Sequence, residues 1–301
     1  MPSHAPAPAF AQAGQQPRVL RGYRPSFKTL ATVQPLGVGG FARVVMVRDR
    51  VTRRIYAMKI VNKQKLLAFN ANVRCEAVVR ERQALDEMEH PFIVKLHATY
   101  QDHDHIYFLL DIALGGELFR VMEQLDKLQE PMARFYVGSL TLALQHIHML
   151  EYVYRDLKPE NVLLDCHGYI KLCDFGFAKK LEDRTYTQCG TPDYVAPEML
   201  MGQGVNQACD WWALGVLLYE MISGFPPFTD KDGQEMKTFA NILKGQLEFR
   251  SGSNYTANAR SLITGLLQVK VTSRLGYSKG GAEDLIAHPW FTHFDWDALV
   301  P

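Results

Sequence analysis

The sequence predicts an α+β fold in which a β-rich first part precedes a larger, mainly helical part. Residues 30 to 62 contain short runs of β-branched and apolar residues interrupted by glycines, a pattern typical of an antiparallel meander. Beyond Gly116, long amphipathic or apolar runs predict helices. With 301 residues, 47% of them hydrophobic, the chain is long enough for one large or two small domains.

The composition excludes several function classes. Lysine plus arginine number 33 and aspartate plus glutamate number 32, so the net charge of +1 provides no broad field for nucleic acid or a membrane surface. No run of about 18 apolar residues predicts a membrane span, and Pro2 stands where myristoylation requires glycine. The five cysteines lack the paired spacing of a metal site and fit a reducing compartment. We therefore expect a cytoplasmic protein without a nucleic-acid partner or membrane segment.

The first residues, 1 to 20, are rich in alanine, proline and glutamine, and we expect them to form a disordered arm. Their apolar content is too low to offset the entropy lost on ordering. A docking tail and a plain linker both fit this composition, and the linker is the simpler interpretation. Predicted strands follow at residues 31 to 36, 41 to 49 and 55 to 62.

A glycine-rich segment, residues 37 to 40, separates the first two predicted strands. Small residues allow backbone N–H groups to close over phosphates, although glycines between strands also make ordinary hairpin turns. Lys59 lies in an otherwise apolar strand, where an unpaired ammonium is costly to bury. Its position after a glycine-rich hairpin favours a phosphate contact over a lysine that points to solvent.

The next elements follow from periodicity and from helix-breaking residues. Residues 73 to 88 predict a helix and residues 106 to 112 a strand. The alternating acids and histidines at residues 102 to 105 lack a second ligand cluster, so a solvated surface turn is favoured over a metal site. Residues 131 to 150 predict an amphipathic helix, and the almost wholly apolar run from 209 to 223 predicts a buried central helix.

The chemistry is concentrated in one loop between these two helices and in the strand pair that follows. Asp156 can accept the proton of an attacking hydroxyl, and Lys158 can balance charge that develops on a transferred group. The side-chain oxygens of Asn161 and Asp174 suit hard Mg²⁺. A short predicted strand at residues 169 to 172 places Asp174 opposite Asn161 across a hairpin. Such a loop can perform phosphoryl transfer.

The run Tyr-Arg-Asp-Leu-Lys-Pro-Glu-Asn at residues 154 to 161 resembles the catalytic loop of the protein kinase family. Asp-Phe-Gly at 174 to 176 and Ala-Pro-Glu at 196 to 198 resemble the ends of its activation segment. Most kinases have histidine at the first position of this run. Tyrosine there is similar to the group that contains the cyclic-nucleotide-dependent kinases and kinase C.

The resemblance covers residues 24 to 299 and implies a bilobal fold. A small lobe of antiparallel sheet with one main helix would span residues 24 to 112, and a larger, mainly helical lobe residues 113 to 299. The resemblance also implies ATP and Mg²⁺ as cofactors, with Asn161 and Asp174 holding the metal ion.

Within the small lobe, the resemblance pairs Lys59 with a glutamate of the helix. Glu81 is preferred to Glu76 because the ten-residue step from Glu81 to Pro91 matches the family. Ala42 replaces a glycine of the family pattern, which restricts the backbone. The resemblance places adenine at the connection between the lobes and implies this set of ATP-binding residues: Leu36, Gly37, Val38, Gly39, Gly40, Phe41, Ala42, Val44, Ala57, Lys59, Leu110, Asp111, Ala113, Glu117 and Leu163.

Residues 184 to 192 resemble the activation loop of the cyclic-nucleotide-dependent kinases, and Thr187 matches their phosphorylated threonine. The resemblance implies that Arg155 and Lys179 would bind a phosphate at this position. Ala77 stands where protein kinase A has a helix histidine that also touches this phosphate. We therefore expect weaker coupling between Thr187 and the small lobe.

Three acids match the family positions that bind arginines two and three residues before the phosphorylated serine or threonine: Glu117, Glu160 and Glu220. Bidentate pairing with carboxylates favours arginine over lysine in such substrates. Pro192 and Val195 fit the apolar pocket for the residue after the acceptor, whereas Gln188 departs from it. We expect a serine/threonine kinase that acts on protein substrates with basic motifs.

Two further matches concern architecture. Arg274 matches the family's buried partner of Glu198, and Asp210 matches the residue that anchors the catalytic loop. The motifs at residues 36 to 41, 236 to 239 and 294 to 296 lean towards the cGMP-dependent kinases, with protein kinase A close behind.

The chain shows no cyclic-nucleotide-binding domain, so we expect a separate regulatory subunit or a missing regulatory segment. Two other function classes fit the same fold: a weakly active pseudokinase or scaffold, and a kinase for small molecules. Intact Lys59 and Asp156 argue against the first. The complete activation segment and the three acids argue against the second.

Overall fold

The computed structural model describes residues 23 to 40, 42 to 68, 71 to 181, 191 to 249 and 255 to 300, without the side chains of residues 71 to 74. The predicted arm at residues 1 to 20, Phe41 and Thr187 lie outside these ranges. The chain divides into two compact units. The first comprises the described residues up to Lys65 together with Leu96–Ile112, and the second comprises Leu66–Lys95 and the residues from Ala113 onward.

The first unit is a five-stranded antiparallel sheet with the strand order β1-β2-β3-β5-β4. Its strands are β1 Leu30–Val38, β2 Ala42–Asp49, β3 Ile55–Asn62, β4 Leu96–Gln101 and β5 His105–Leu110. The predicted meander is confirmed. The carboxylate of Asp102 accepts hydrogen bonds from the backbone N–H groups of Asp104 and His105 at 2.9 and 2.7 Å, so the acids and histidines there form the predicted surface turn.

The two faces of this sheet differ because side chains alternate along each strand. One face, the cluster face, carries a buried apolar cluster of seven residues: Val45, Val47, Tyr56, Met58, Ile60, Tyr107 and Leu109. The alternate positions of β3 include Ala57 and Lys59, which are only half-buried. The sheet therefore uses one face for its core and leaves the other partly open.

A short N-terminal strap, residues 23 to 29, packs on the cluster face. The ring of Phe27 lies 4.7 Å from that of Tyr107 and 5.4 Å from that of Tyr100, measured between centroids. Its last three residues, Phe27–Thr29, form a 3₁₀ turn that leads into β1. The strap extends the apolar packing of the sheet at the start of the described chain.

The second unit is mainly helical. Helix α1, Lys63–Leu67, runs across the boundary in sequence between the units; the others are α2 Ala71–Glu87, α3 Leu118–Leu125, α4 Glu130–Met149, α5 Pro197–Leu200, α6 Ala208–Ser223, α7 Glu235–Lys244, α8 Ala257–Leu266 and α9 Ala282–Ile286. Its short strands are β6 Gly116–Glu117, β7 Tyr152–Val153, β8 Val162–Leu164, β9 Ile170–Leu172 and β10 Lys179–Lys180. Within the described ranges, no helix has the length and apolarity needed to cross a membrane.

Helix α6 is the central element of the second unit. Every one of its residues except Glu220 is buried, which confirms the prediction of a buried central helix. It ends at Gly224, whose φ of 86° lies in the left-handed region that glycine adopts most easily. The helix therefore carries a single acid, Glu220, that is open enough to meet a ligand.

A buried ion pair joins the start of α5 to the segment after α8. The guanidinium of Arg274 donates two hydrogen bonds to the carboxylate of Glu198, at 2.7 and 2.8 Å. It also donates to the carbonyl oxygen of Ala208 at 2.8 Å and lies 5.1 Å from the ring centroid of Trp212. The pairing expected from the resemblance is confirmed.

Candidate active site

Strand β3 places Lys59 on the half-open face of the first unit's sheet. Lys59 lies opposite Val44 on β2 and Phe108 on β5, and Ala57 lies opposite Leu110. Residues directly opposite each other in an antiparallel pair share a face. Four predicted ATP-binding residues, Val44, Ala57, Lys59 and Leu110, therefore lie together on the face that the apolar cluster does not use. Their contact with ATP stays a prediction.

The glycine-rich segment closes the β1–β2 hairpin and leaves space around its glycines. The N–H of Gly39 donates to the carbonyl oxygen of Ala42 at 2.8 Å. A Cβ added at Gly37 or Gly40 would meet no atom within 4 Å, and Val38 is 85% exposed. Packing within the protein thus does not require glycine at these two positions. The small residues here leave room for the predicted contact with phosphates.

The two candidate glutamates of α2 lie in different environments. Glu76 is exposed, and its carboxylate lies 3.7 Å from the guanidinium of Arg80 one turn later. Glu81 is only 5% exposed. A buried carboxylate needs a cationic or hydrogen-bonding partner, so Glu81 fits the glutamate of the predicted pair better than Glu76 does. Its pairing with Lys59 stays a prediction.

The carboxylate of Asp156 is held by two neighbours on its own loop. Asp156 is only 4% exposed, and its two carboxylate oxygens lie 3.1 and 3.2 Å from Nζ of Lys158. Nδ2 of Asn161 donates to the same carboxylate and to the carbonyl oxygen of Asp156, both at 2.7 Å. Burial raises the pKa of Asp156, while Lys158 and Asn161 act in the opposite direction. The geometry suits a carboxylate that accepts a proton.

Asp210, at the start of α6, anchors this loop. Its carboxylate accepts hydrogen bonds from the backbone N–H groups of Tyr154 and Arg155 at 3.0 and 2.8 Å. The φ of Arg155 is 66°, a conformation that is strained for a residue with a Cβ. The anchor predicted from the resemblance is confirmed, and it holds the loop in this conformation.

Sequence reasoning missed a third contact of Asp210. Nε2 of His148 on α4 lies 2.8 Å from the Asp210 carboxylate, and the ring packs edge-on against Trp211. The sequence pattern around His148 carries no signal for a partner 62 residues away. His148 thus helps to position the residue that anchors the catalytic loop.

The β8–β9 hairpin brings the second predicted metal ligand to the first. The N–H of Cys173 donates to the carbonyl oxygen of Asn161 at 3.0 Å, and Asp174 follows at once with an exposed side chain. Both hydrogen bonds of the Asn161 amide use its nitrogen, which leaves its oxygen as the atom that can bind a cation. Two oxygen donors of this kind fit Mg²⁺ that arrives with phosphates.

Tyr154, the departure from the common kinase pattern, has a structural role. Its ring is fully buried and packs edge-on against Phe175 with centroids 5.2 Å apart. Its hydroxyl donates to the carbonyl oxygen of Cys173. Tyrosine therefore joins the catalytic loop to the Asp-Phe-Gly segment.

In the described part of the chain, no group of three or more His, Cys, Asp or Glu side chains could hold a metal ion by itself.

Glu160 and Glu220, two of the three acids predicted to bind arginines of a substrate, interact electrostatically. Glu160 is exposed on the 3₁₀ turn of the catalytic loop, and Glu220 is half-buried on α6. Burial raises the pKa of Glu220 to about 7; the hydroxyl of Tyr194, which donates to its carboxylate, opposes this shift, and the charges of Glu160 and Asp193 add to it. This acidic pair suits a cationic ligand such as an arginine side chain.

The remaining predicted residues of the second unit lie near these elements. Glu117 on β6 is directly opposite Leu163 on β8, so the structure brings these two residues together. Pro192 begins a 3₁₀ turn and is half-buried, while Val195, just after that turn, is buried. Ala113 follows Ile112 and begins the second stretch of chain of the second unit.

Arg155 and Lys179, the two cations predicted to bind a phosphate on Thr187, lie in the part of the chain that the structure describes, whereas Thr187 does not. Arg155 is buried, and its Nε donates to the carbonyl oxygen of Phe177 at 2.8 Å. Lys179 on β10 lies opposite Val153 on β7 and is half-buried. The β7–β10 pair thus connects the catalytic loop to the segment that carries Thr187.

Comparison with known proteins places this geometry in a family context. The family model described as Protein kinase domain matches residues 30–291. A protein of Caenorhabditis elegans named cAMP-dependent protein kinase, catalytic subunit-like, is 42% identical over 90% of this chain and 67% of its own length. The human cAMP-dependent protein kinase catalytic subunit PRKX is 41% identical over 91% of this chain and 74% of its own length.

A third relative, the cAMP-dependent protein kinase catalytic subunit of Arthrobotrys oligospora, is 40% identical over 88% of this chain. The chain spans about half the length of that relative and about three quarters of the human one. These names shift the sequence-based leaning from the cGMP-dependent towards the cAMP-dependent branch.

Proposed function

Since this chain belongs to the protein kinase domain family, we propose that it is a serine/threonine protein kinase that transfers the γ-phosphate of ATP to basic protein substrates. The observation that carries the proposal is the buried carboxylate of Asp156, paired with Lys158 and Asn161 on a loop that Asp210 anchors. The names of the relatives support the same chemistry. The proposed kinase domain spans residues 24 to 299.

In the proposed reaction, the oxygen of a substrate hydroxyl attacks the γ-phosphorus of ATP. The bond between that phosphorus and the oxygen of the leaving ADP breaks, and the hydroxyl proton passes to the carboxylate of Asp156. Lys158, whose ammonium lies beside that carboxylate, stabilises the charge on the transferred group. The contribution of these residues is positioning and electrostatics.

The proposed ATP contacts come from each unit's own residues. In the first unit, Val44, Ala57 and Leu110 supply an apolar surface for adenine, and Lys59 contacts the phosphates. Glu81, on α2 of the second unit, is the glutamate that the resemblance pairs with Lys59. The open hairpin at residues 36 to 42 contributes backbone N–H groups, with Phe41 outside the described residues. The other proposed contacts with the nucleotide are Asp111, Ala113, Glu117 and Leu163.

The proposed cofactor is Mg²⁺-ATP. The oxygens of Asn161 and Asp174 would hold the metal ion, since Mg²⁺ binds through one or two protein oxygens together with substrate phosphates. When bound, the ion neutralises charge on the phosphates. Asp174 follows directly after the hydrogen bond between Cys173 and Asn161, which supports a shared role for the two ligands.

We also propose the substrate class. The acidic pair of Glu160 and Glu220 would bind arginine two residues before the acceptor, and Glu117 arginine three residues before it. Pro192 and Val195 would contact the residue after the acceptor. The raised pKa of Glu220 supports this assignment, because a partly buried acid with no ion pair among the described residues gains from an arriving guanidinium.

Activation and location complete the proposal. Phosphate on Thr187, which lies outside the described residues, would be bound by Arg155 and Lys179. A regulatory subunit on a separate chain, or a regulatory segment outside this sequence, would control the enzyme. We place it in the cytoplasm, because the described cysteines Cys75, Cys166, Cys173 and Cys209 are free thiols and fit a reducing compartment.

Transfer of labelled phosphate from Mg²⁺-ATP to an Arg-Arg-x-Ser peptide tests the proposal. The wild type is compared with Asp156→Ala, and the peptide with one in which both arginines are replaced. Transfer that requires both Asp156 and the arginines is the expected result. The proposed kinase activity would be refuted if the chain is folded, binds nucleotide and is phosphorylated at Thr187 but transfers no phosphate. Equal rates on the two peptides would refute the proposed substrate class.

A further inference from the structure

Four serine or threonine side chains in this sequence follow an arginine by two or three residues: Ser26, Thr52, Thr187 and Ser253. This is the spacing that the proposed substrate class requires. Thr187 and Ser253 lie outside the described residues. The structure therefore distinguishes between the other two, Ser26 and Thr52, which both lie in the first unit and both have arginine two residues before them.

Thr52 is closed to an enzyme. It is only 2% exposed, and its hydroxyl donates to the carboxylate of Asp49 at 2.6 Å. The same hydroxyl accepts a hydrogen bond from the backbone N–H of Arg54 at 3.4 Å, and the N–H of Thr52 donates to Asp49 at 3.0 Å. Its oxygen could reach a nucleotide only if the turn between β2 and β3 opened.

Ser26, on the N-terminal strap, is open. It is exposed, its backbone is extended with φ −92° and ψ 145°, and its side chain does not cap the 3₁₀ turn that follows. Among the described residues, no hydrogen bond uses its hydroxyl. The acceptor hydroxyl is thus open to solvent in the folded chain.

The residues around Ser26 match the features of the proposed substrate class. Pro25 has a fixed φ, and a residue before proline is driven to extended backbone, so Arg24 and Ser26 are held in an extended segment. Alternate side chains of an extended segment point the same way, which presents the guanidinium and the acceptor hydroxyl together. Arg24 is exposed, and Phe27, whose ring packs on Tyr107 and Tyr100, is the apolar residue directly after the acceptor.

We propose that Ser26 is a phosphorylation site for this chain's own kinase activity, an inference that rests on the proposed function. Arg24 of one copy of the chain would pair with the acids Glu160 and Glu220 of a second copy. The Ser26 oxygen forms a bond to the γ-phosphorus of ATP, the bond from that phosphorus to ADP breaks, and the hydroxyl proton goes to Asp156. The product is phosphoserine on the strap, with ADP released.

The test incubates the full chain with Mg²⁺-ATP and follows phosphate at Ser26 and at Thr52 by mass spectrometry. Peptide transfer is measured on the same samples. We expect phosphate at Ser26 at a rate at least about tenfold above that at Thr52, and none in Asp156→Asn. Arg24→Ala should slow Ser26 modification at least about tenfold without changing peptide transfer, and Arg24→Lys should slow it less, because lysine keeps the charge but loses bidentate pairing.

Three outcomes would overturn the proposal: active peptide transfer with unmodified Ser26, modification of Ser26 that ignores Arg24→Ala, or equal modification of Ser26 in Asp156→Asn. A chain that fails to phosphorylate the peptide at all would instead refute the proposed function, and the Ser26 proposal with it. The peptide assay thus separates the two failures.

Discussion

Two buried ion pairs of the second unit differ in how completely they are closed. The side chains of Arg274 and Glu198 are 0% and 3% exposed and are joined by two parallel hydrogen bonds. In the other pair, Asp156 is 3% exposed but Lys158 is 21% exposed. A closed pair can only stabilise the fold, because neither charge can meet a ligand. An open pair keeps a cation and a carboxylate that a substrate can reach.

The largest effect should come from the open pair. Asp156→Asn should lower phosphate transfer about 10²- to 10⁴-fold, because the amide cannot accept the hydroxyl proton. Stability should stay equal or rise, because burial raises the pKa of Asp156 and so disfavours its charged form in the folded chain. Peptide phosphorylation and urea unfolding measure the two quantities. Loss of both activity and stability would mean that the open pair also holds the fold.

The closed pair should show the opposite behaviour. Arg274→Met should lower the free energy of unfolding by about 3–5 kcal/mol, because it leaves the Glu198 carboxylate buried without compensation. Arg120→Met is the matched control, since the exposed pair of Arg120 and Glu123 is worth about 0–1 kcal/mol. Urea unfolding monitored by tryptophan fluorescence compares them. Similar losses in both variants would remove the distinction between the closed pair and a surface pair.

Glu220 is an intermediate case, a half-buried acid with a tyrosine partner and no described ion pair. Glu220→Gln should lower kcat/KM for a peptide with arginine two residues before the acceptor by about 10- to 100-fold, as expected for loss of a charged hydrogen bond. A peptide without that arginine should be affected little. Glu123→Gln, an exposed acid on α3, is the control. Equal loss on both peptides would show a structural role instead.

The smallest effect concerns pH. The pKa of Glu220 is raised from 4.5 to about 7, so its ionised fraction increases through neutrality. Because the ionised form binds arginine, kcat/KM for the arginine peptide should rise up to about tenfold from pH 6 to 8, and this component should vanish in Glu220→Gln. The folded chain binds this proton more tightly than the unfolded chain does. The contribution of Glu220 to stability should therefore fall as the pH rises from 4.5 to about 7. A pH profile of kcat/KM that Glu220→Gln leaves unchanged would contradict the first statement. A pH profile of the free energy of unfolding that it leaves unchanged would contradict the second.

Local motifs made much of this predictable. The catalytic loop and the β8–β9 hairpin each lie within a short stretch of chain, so the neighbours of Asp156 and the approach of Asp174 to Asn161 followed from residue order. The strands of the first unit followed from alternation, with ends that differ by one or two residues. Burial then distinguished Glu81 from Glu76, which spacing alone had only favoured.

Other features depend on distant contacts that no local pattern encodes. His148 and Asp210 are 62 residues apart, and the Tyr194 hydroxyl meets Glu220 across 26 residues. The raised pKa of Glu220 depends on burial, which the sequence of an apolar helix cannot grade residue by residue. Helix α2 also groups with the second unit, and the residues of α2 alone do not predict with which unit it packs.

The alternation of β3 has a consequence for insertions and deletions. Tyr56 and Met58 face the apolar cluster, and Lys59 lies between positions that do so. One residue added or lost within β3 would turn the ammonium of Lys59 into that cluster and expose the aromatic and thioether side chains. Length changes that a population of such chains tolerates should therefore fall in the turns that flank β3 and never within the strand itself.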